Sequence, residues 1–415
     1  MVLQRPGLGH GYIENELKKV GIVTYGGGHV AMMLPVIRLI QARPDFEVHV
    51  LGLTAAQAIL EREQVPYLGF RHLWAQEPFD DLARAWGEKL TAGWASSEVL
   101  IEESVAYMGM SYADLVLRLG EPGASEAYDQ EGRAAFLPKK AVARWMARVQ
   151  PDIVVATNSP RGEMAALLLA KEHGIPSLCV NDMFAVGEIA WLAQPGYGTR
   201  ICIFHEFVRK VLEDHGRPAH EIVVTGNPAF AGLDDENAKA LGQKIRMELG
   251  WSGPVLLYAA QSGEPGNEAA LDDVLRELGG IAQRNPDWLI LVRPHPNKAF
   301  SIPETPNFRM SAATAPLAGA IQAADAVIVM SSTVGLQAMM AGVPLVQIET
   351  SSYLSATPYA AMGYAVGVPS TEGLESGIRQ ALDSPKRESP FRASEGAAER
   401  ILDQILELSR CRSSV

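Results

Sequence analysis

The chain has 415 residues, 47% of them hydrophobic and 20% charged, with a formal net charge of −12. That length exceeds one ordinary core and implies two domains. The acidic balance argues against a nucleic-acid partner, which would demand a basic surface. No apolar run is long enough for an integral membrane segment. Residues 1–16 lack the apolar stretch of a signal peptide, and 1–17 read as a flexible lead-in. The three cysteines, Cys179, Cys202 and Cys411, fit neither a disulfide framework nor a zinc site. They suit a reducing, cytoplasmic setting.

Residues 18–25 read as the first strand. Gly26, Gly27, Gly28 and His29 form a turn without side-chain bulk, and 30–42 is a helix with Pro35 in its early turns. A second strand at 46–53 completes a βαβ unit. Residues 60–69, with the pair Val65-Pro66, resemble another helix-to-strand connection. Residues 72–148 are mostly helical in pattern. Their aromatics Trp74, Trp86, Trp94, Tyr107, Tyr112 and Trp145 are either one wall of a cleft or plain core. The alternation then resumes, with a strand at 151–157, a helix at 163–173 closed by Gly174, and strands at 176–180 and 201–204. A further helix ends at His215 and Gly216, and 222–228 turns the chain.

The acidic stretch 234–250 reads as a helical connection into a second domain. There the pattern restarts with a strand at 255–260, a polar loop at 261–267, an amphipathic helix at 268–284 and a strand at 288–292. That strand leads into Arg293-Pro294-His295-Pro296. Asp325 is a turn residue ahead of the apolar run Val327-Ile328-Val329-Met330. Ser331-Ser332-Thr333 then open a helix, and a second apolar strand follows Gly342-Val343-Pro344. Hydroxyls and backbone N–H groups at a helix start suit a diphosphate or monophosphate, although an ordinary strand–turn–helix crossover has the same pattern. Helices at 372–382 and 396–408 close the chain. The predicted architecture is α/β: two Rossmann-like domains, 18–230 and 231–385, whose parallel sheets face across a cleft. A C-terminal helix and tail, 386–415, follow.

The Gly-Gly-Gly-His turn, Thr225-Gly226-Asn227-Pro228, Arg293-Pro294-His295-Pro296 and the run from Ser331 to Ala338 together resemble the GT-B superfamily. That group holds nucleotide-sugar glycosyltransferases and non-hydrolysing UDP-N-acetylglucosamine 2-epimerases. The resemblance covers roughly residues 18–385. It implies an acceptor-side N-terminal half and a C-terminal half that binds the nucleotide of the donor. His295-Pro296 with Ser331-Ser332 looks like the HP and SS motifs of bacterial sialyltransferases and capsule transferases, glycerophosphate transferases included, which use CMP- or CDP-activated donors. Gln337 stands where many UDP-sugar enzymes carry a Glu on the ribose. An amide can still hydrogen-bond a ribose, but it is not an acceptor-only carboxylate.

Glycosyl transfer needs a base for the acceptor proton and a site that stabilises the departing phosphate. His29 is a candidate base, with Gly27 and Gly28 allowing close approach, or it is a histidine that merely caps or packs. Asp182, beyond the end of a parallel strand, is the base, an orienter of His29, or a turn aspartate. Glu188 is a weaker third candidate. Arg293 would hold phosphate and His295 would donate to the leaving group. Ser331, Ser332 and Thr333 would contact the phosphates, with Gln261, Ser262 and Gly263 facing the same cleft and Gln337 on the ribose. Tyr359 and Glu349 reach the donor or are surface-loop residues. No metal-ligand cluster is evident, so the expected reaction is metal-independent. The expected partners are a nucleotide-activated sugar as co-substrate and a small-molecule or glycan acceptor, with no other cofactor. A glycosyltransferase is the leading reading; a 2-epimerase, a glycerophosphotransferase and a non-catalytic sugar-nucleotide binder are the alternatives.

Overall fold

The computed structural model describes residues 17–94, 99–231, 233, 235–261, 269–295, 298, 300–311, 315–384 and 395–411. The expected lead-in at 1–16, the loop at 262–267 and Pro296 lie outside the described residues. The chain opens with β1 (Lys18–Thr24), α1 (Gly28–Gln41), β2 (Phe46–Gly52), α2 (Ala56–Arg62) and β3 (Tyr67–Leu68). Three helices follow, α3 (Pro78–Leu90), α4 (Ile101–Glu131) and α5 (Lys139–Val149). Then come β4 (Ile153–Thr157), α6 (Gly162–Glu172), β5 (Ser177–Val180), α7 (Ile189–Leu192), β6 (Arg200–Ile203), α8 (Glu206–Asp214) and β7 (Ile222–Val224).

The second half holds α9 (Glu236–Leu249), β8 (Val255–Ala259), α10 (Ala270–Arg284), β9 (Leu289–Arg293), β10 (Phe308–Met310) and α11 (Leu317–Ala323). It continues with β11 (Ala326–Val329), α12 (Val334–Met340), β12 (Leu345–Ile348), β13 (Val366–Val368), α13 (Leu374–Leu382) and α14 (Ala397–Cys411).

The strands β4, β8 and β11 are buried along their whole length, as parallel strands covered on both faces must be. This is why they read as unbroken apolar runs rather than alternating ones. One sheet has seven strands in the order β3-β2-β1-β4-β5-β6-β7, and the other has six in the order β10-β9-β8-β11-β12-β13. In both, the strand order reverses after the first strand formed, between β1 and β4 and between β8 and β11. Open α/β sheets bind ligands outside the carboxyl ends of their strands at such a switch point. The chain divides into two compact units, Met1–Cys179 with Leu402–Val415 and Val180–Ile401.

Apolar positions at Leu271, Val274, Leu278 and Ile281 put one face of α10 onto the six-stranded sheet, where Leu256, Tyr258, Ile290, Val292 and Ile328 meet it. Two local expectations are corrected. The helix after β1 begins at Gly28, because Gly27 caps it with φ 67, so Gly28 and His29 belong to its first turn. Asp325 is more than a turn residue: its Oδ2 accepts from Arg246 of α9 at 2.6 Å and from the Val255 N–H at 2.8 Å. It thereby fixes where β8 begins. Of the aromatics, Tyr107, Tyr112 and Trp145 are core, whereas Trp94 is exposed.

At Gly335 in α12 an added Cβ would stand 2.6 Å from Tyr359 Cε2 and 3.1 Å from Val329 Cγ2. The ring of Tyr359 is fully buried and cannot swing out. Gly335→Ala is therefore expected to destabilise the fold by about 1–3 kcal/mol, the usual cost of overpacking, measured as a lowered midpoint in urea denaturation. An unchanged midpoint would mean that the ring yields without cost.

Candidate functional site

The exits of β8 and β11 meet at the switch point of the six-stranded sheet. Gln261, just past β8, accepts through Oε1 from the Ser331 backbone N–H at 2.9 Å and from Ser331 Oγ at 3.0 Å. Ser351, past β12, donates from its hydroxyl to Ser331 Oγ at 2.8 Å. Three strand exits are thus joined through one serine. Ser332 Oγ accepts the Val334 N–H at 3.3 Å, which orders the turn, and Thr333 is exposed.

The turn stands on two buried residues. Tyr359 donates its hydroxyl to Ser332 O at 3.0 Å, and burial raises its pKa, so it is a neutral donor. Gln347 of β12 donates to Met330 O at 3.0 Å and Thr357 O at 2.6 Å and accepts from the Ala360 N–H at 2.9 Å. The sequence left Tyr359 open between a donor contact and a surface-loop residue; being wholly buried, it supports the serine turn from beneath. Arg293 closes β9 and gives one N–H to Ala315 O at 3.0 Å. Burial lowers its pKa, but a guanidinium stays charged and its fork has further donors. His295 follows, partly exposed. Gln337 lies on α12 with Oε1 buried and no hydrogen-bond partner among the described residues. Ser262 and Gly263 lie outside the described residues.

The segment after β5 belongs to the same compact unit. The Phe184 ring meets the Tyr359 ring edge-on, with centroids 5.8 Å apart. Asn227 donates from Nδ2 to Asp182 O at 3.0 Å. The buried Arg217 holds the far end, donating to Leu192 O at 2.7 Å and Tyr197 O at 3.0 Å. Within this segment Asn181 is only 1% exposed, yet neither atom of its amide has a hydrogen-bond partner among the described residues. Burial first, and then the negative charge of Asp182, raise the pKa of Glu188. Glu188 therefore holds a proton more readily than an ordinary glutamate. Ala185 takes φ 61 while buried, a left-handed conformation that costs a non-glycine residue about 1 kcal/mol.

In the first unit Gly27 and Gly28 open α1, and an added Cβ at either would meet nothing within 4 Å, so a ligand can approach their backbone. His29 is the second helical residue and partly exposed. Nearby, Glu163 in the first turn of α6 is fully buried, and its Oε1 accepts from Thr157 Oγ1 at 3.3 Å. Burial pushes its carboxyl up to about 7, against opposing pulls from backbone N–H groups, Arg161 and Thr157.

Sequence reasoning passed over Ser351, Asn181, Arg161 and Glu163. Ser351 was within reach, since it repeats after β12 the hydroxyl that Ser331 supplies after β11. A lone Glu at a helix start was not, because acidic residues are common there for the helix dipole alone.

Two parallel-sheet α/β domains, each with its own switch point, define the GT-B fold. No protein-family model and no curated protein matches the sequence. Solved structures match the fold. The UDP-GlcNAc 2-epimerase of Methanocaldococcus jannaschii, in complex with UDP-GlcNAc and UDP, is similar with a TM-score of 0.58 at 14% identity, over 94% of this chain and 99% of that one. The Neisseria meningitidis UDP-GlcNAc 2-epimerase bound to UDP-GlcNAc has a TM-score of 0.57 at 14% identity, over 94% and 100%. The glycosyltransferase SnogD of Streptomyces nogalater has a TM-score of 0.53 at 14% identity, over 95% and 100%. These likenesses show the fold that the sequence predicted. Among the described residues no helix is long and apolar enough to cross a membrane.

The raised pKa of Glu163 has a stability consequence. Between its ordinary value of 4.5 and about 7 the folded chain holds a proton that the unfolded chain releases. Stability therefore falls as pH rises through that window, by roughly 3 kcal/mol in full. Glu163→Gln, which cannot ionise, is expected to remove this part of the slope and to melt higher than wild type above pH 7. Thermal denaturation of both proteins from pH 4.5 to 8 is the measurement, and parallel curves would refute it.

Proposed function

We propose that the chain is an enzyme acting on a UDP-sugar, and that it transfers the sugar to an acceptor. The observation that carries this reading is the Gln261–Ser331–Ser351 network at the switch point of the six-stranded sheet. It gathers two hydroxyls and an amide from three strand exits, where this fold receives ligands. The neighbours in fold include enzymes solved with UDP or UDP-GlcNAc, which supports the choice of uridine nucleotide.

In this reading an acceptor hydroxyl attacks the anomeric carbon as the bond from that carbon to the phosphate oxygen breaks. UDP departs with the bonding electrons. Ser331, Ser332, Thr333 and the guanidinium of Arg293 stabilise its growing negative charge, with His295 as a further donor. His29 or Asp182 takes the acceptor proton. Gln337 offers an amide oxygen to the ribose, and Gly27 and Gly28 admit the acceptor side. No other cofactor enters the scheme.

A second reading, 2-epimerisation, is favoured by the Asp182–Glu188 pair. Two neighbouring carboxyls with unequal proton affinity can divide removal and return of a C2 proton between them.

The readings separate in one assay. UDP released only when an acceptor is present marks transfer; deuterium gained at C2 from heavy water marks epimerisation. Titration calorimetry with UDP is expected to show binding, weakened about tenfold in Ser331→Ala, as the loss of roughly 1.4 kcal/mol of hydrogen bonding requires. Wild type that fails to bind any uridine nucleotide would remove the proposal.

A further inference from the structure

Arginines that leave the solvent in this chain are tied down. Carboxylates hold Arg144, Arg209 and Arg246, and backbone carbonyls hold Arg217 and Arg293. With 48 acidic residues against 36 basic ones, anionic partners are plentiful. Arg161 departs from this pattern. Its guanidinium makes no hydrogen bond or ion pair among the described residues, and its Nε is buried. Arg84, Arg133, Arg148 and Arg410 also lack such bonds, but they are exposed to water, whereas Arg161 is partly enclosed.

The position is an unfavourable one for a cation. Arg161 is the N-cap of the eleven-residue helix α6. A guanidinium has donors only, so it cannot accept from the free N–H groups of the first turn, and its charge opposes the positive end of the helix dipole. The ring of Tyr25 holds it instead, with the guanidinium carbon 5.2 Å from the ring centre. Glu163, two residues on, attracts this charge without forming an ion pair with it. Its Oε1 is taken by Thr157, and burial makes the carboxyl keep its proton more readily than an ordinary glutamate.

β1 and β4 run side by side, with Val23 opposite Ala156, so Tyr25 and Arg161 leave one edge of the seven-stranded sheet at its switch point. Gly27 and Gly28 follow Tyr25; both are exposed, and no side chain caps α1. On the other side of β1, just past β2, Thr54 is only 7% exposed, and its Oγ1 has no partner among the described residues. Thr54 also takes φ 45, an outlier for a β-branched residue that persists only where the surroundings enforce it. Its neighbour Ala55 packs on Gly26, where an added Cβ would come within 2.8 Å. Three adjacent strand exits therefore carry hydrogen-bond donors that the fold itself leaves unused.

We propose that these exits form an oxyanion site, anchored by Arg161, for a carboxylate or phosphate group carried by the acceptor. The fork of Arg161 gives such a group two parallel N–H donors, and the bare backbone of Gly27 and Gly28 lets it come close. The N-termini of α1 and α6 add positive potential at the same edge. That the anion belongs to the acceptor rests on the UDP-sugar reading above; the site itself does not.

Phenylglyoxal, which modifies accessible guanidinium groups, tests this in the intact wild-type chain, with each arginine followed by peptide mass spectrometry. Ionic strength is held constant with sodium chloride while inorganic phosphate or malonate is added. Arg161 is expected to react, and to react severalfold more slowly in one or both anions, while the exposed Arg148 of α5 keeps its rate. Protection by phosphate alone supports a phosphorylated acceptor, and protection by malonate alone supports a carboxylate. An Arg161 that is not modified at all, or whose rate neither anion changes, overturns the inference. UDP is expected to slow Arg293 and to leave Arg161 unchanged. Slowing of Arg161 by UDP would assign the anion to the nucleotide and overturn the acceptor assignment. If UDP protects neither arginine, the UDP-sugar reading fails, and the phosphate and malonate comparison still decides the site.

Discussion

The hydrogen bonds from Ser331 to Gln261 span the one place where the six-stranded sheet cannot close on itself. Elsewhere in a parallel sheet a strand exit is followed by a crossover that packs over its neighbour. At a switch point the crossovers leave in opposite directions, and the backbone ends between them lie open. An open edge of unsatisfied N–H groups would be costly, and Gln261 Oε1 answers it by accepting from both the N–H and the hydroxyl of Ser331. Anchoring the serine in this way fixes the turn that precedes α12. Because α12 has only seven residues, the arrangement depends on that side-chain network more than on any helix dipole.

Buried polar side chains among the described residues divide into those whose atoms have partners and those that keep an atom without one. Gln347 and Glu103 have their side-chain oxygens satisfied by backbone N–H groups, as folded proteins generally demand. Asn181, Gln337 and Glu163 keep buried atoms without partners among the described residues. These three lie just past β5, on the helix after the serine turn, and on the helix after β4, all beyond the carboxyl ends of strands. Such atoms occur in the helical layer as well, at Ser111 of α4 and Trp145 of α5, so it is their place beyond a strand end, and not the missing partner alone, that fits these three to a ligand-receiving surface. Ala185 adds to it, since strain in a buried loop persists only where the surroundings enforce it.

The sheets were legible in the sequence because parallel strands bury both faces, so Ile153–Thr157 and Val255–Ala259 stand out as apolar blocks. Short elements were not: Phe308–Met310 and Val366–Val368 have three residues each, too few to show a period. Motif resemblance singled out Ser331, Ser332, Arg293 and His295; Arg293 closes β9 and the other three follow strand ends. Tyr359 stayed open between donor contact and surface loop, because a tyrosine in a loop sequence gives no sign that its ring is packed under a neighbouring turn. Glu163 was invisible for a deeper reason. Whether a carboxylate is solvated or enclosed depends on Leu53 and Tyr25 arriving from distant parts of the chain, and nothing local records that.

Charge divides the labour within the second unit. A diphosphate brings negative charge, which the Asp182 carboxylate would repel, and which would push Glu188, already raised by burial and by Asp182, still further toward its protonated form. Phosphates are instead compatible with Ser331, Ser332 and Arg293, which present hydroxyls and a cation. The Phe184–Tyr359 contact holds these two environments in one compact unit without mixing them. In the UDP-sugar reading, then, the phosphates and the reacting sugar occupy places of opposite electrostatic character. Burial is the larger cause of the raised pKa of Glu188 and the charge of Asp182 adds to it, so in that reading Glu188 is disposed to donate a proton beside a carboxylate.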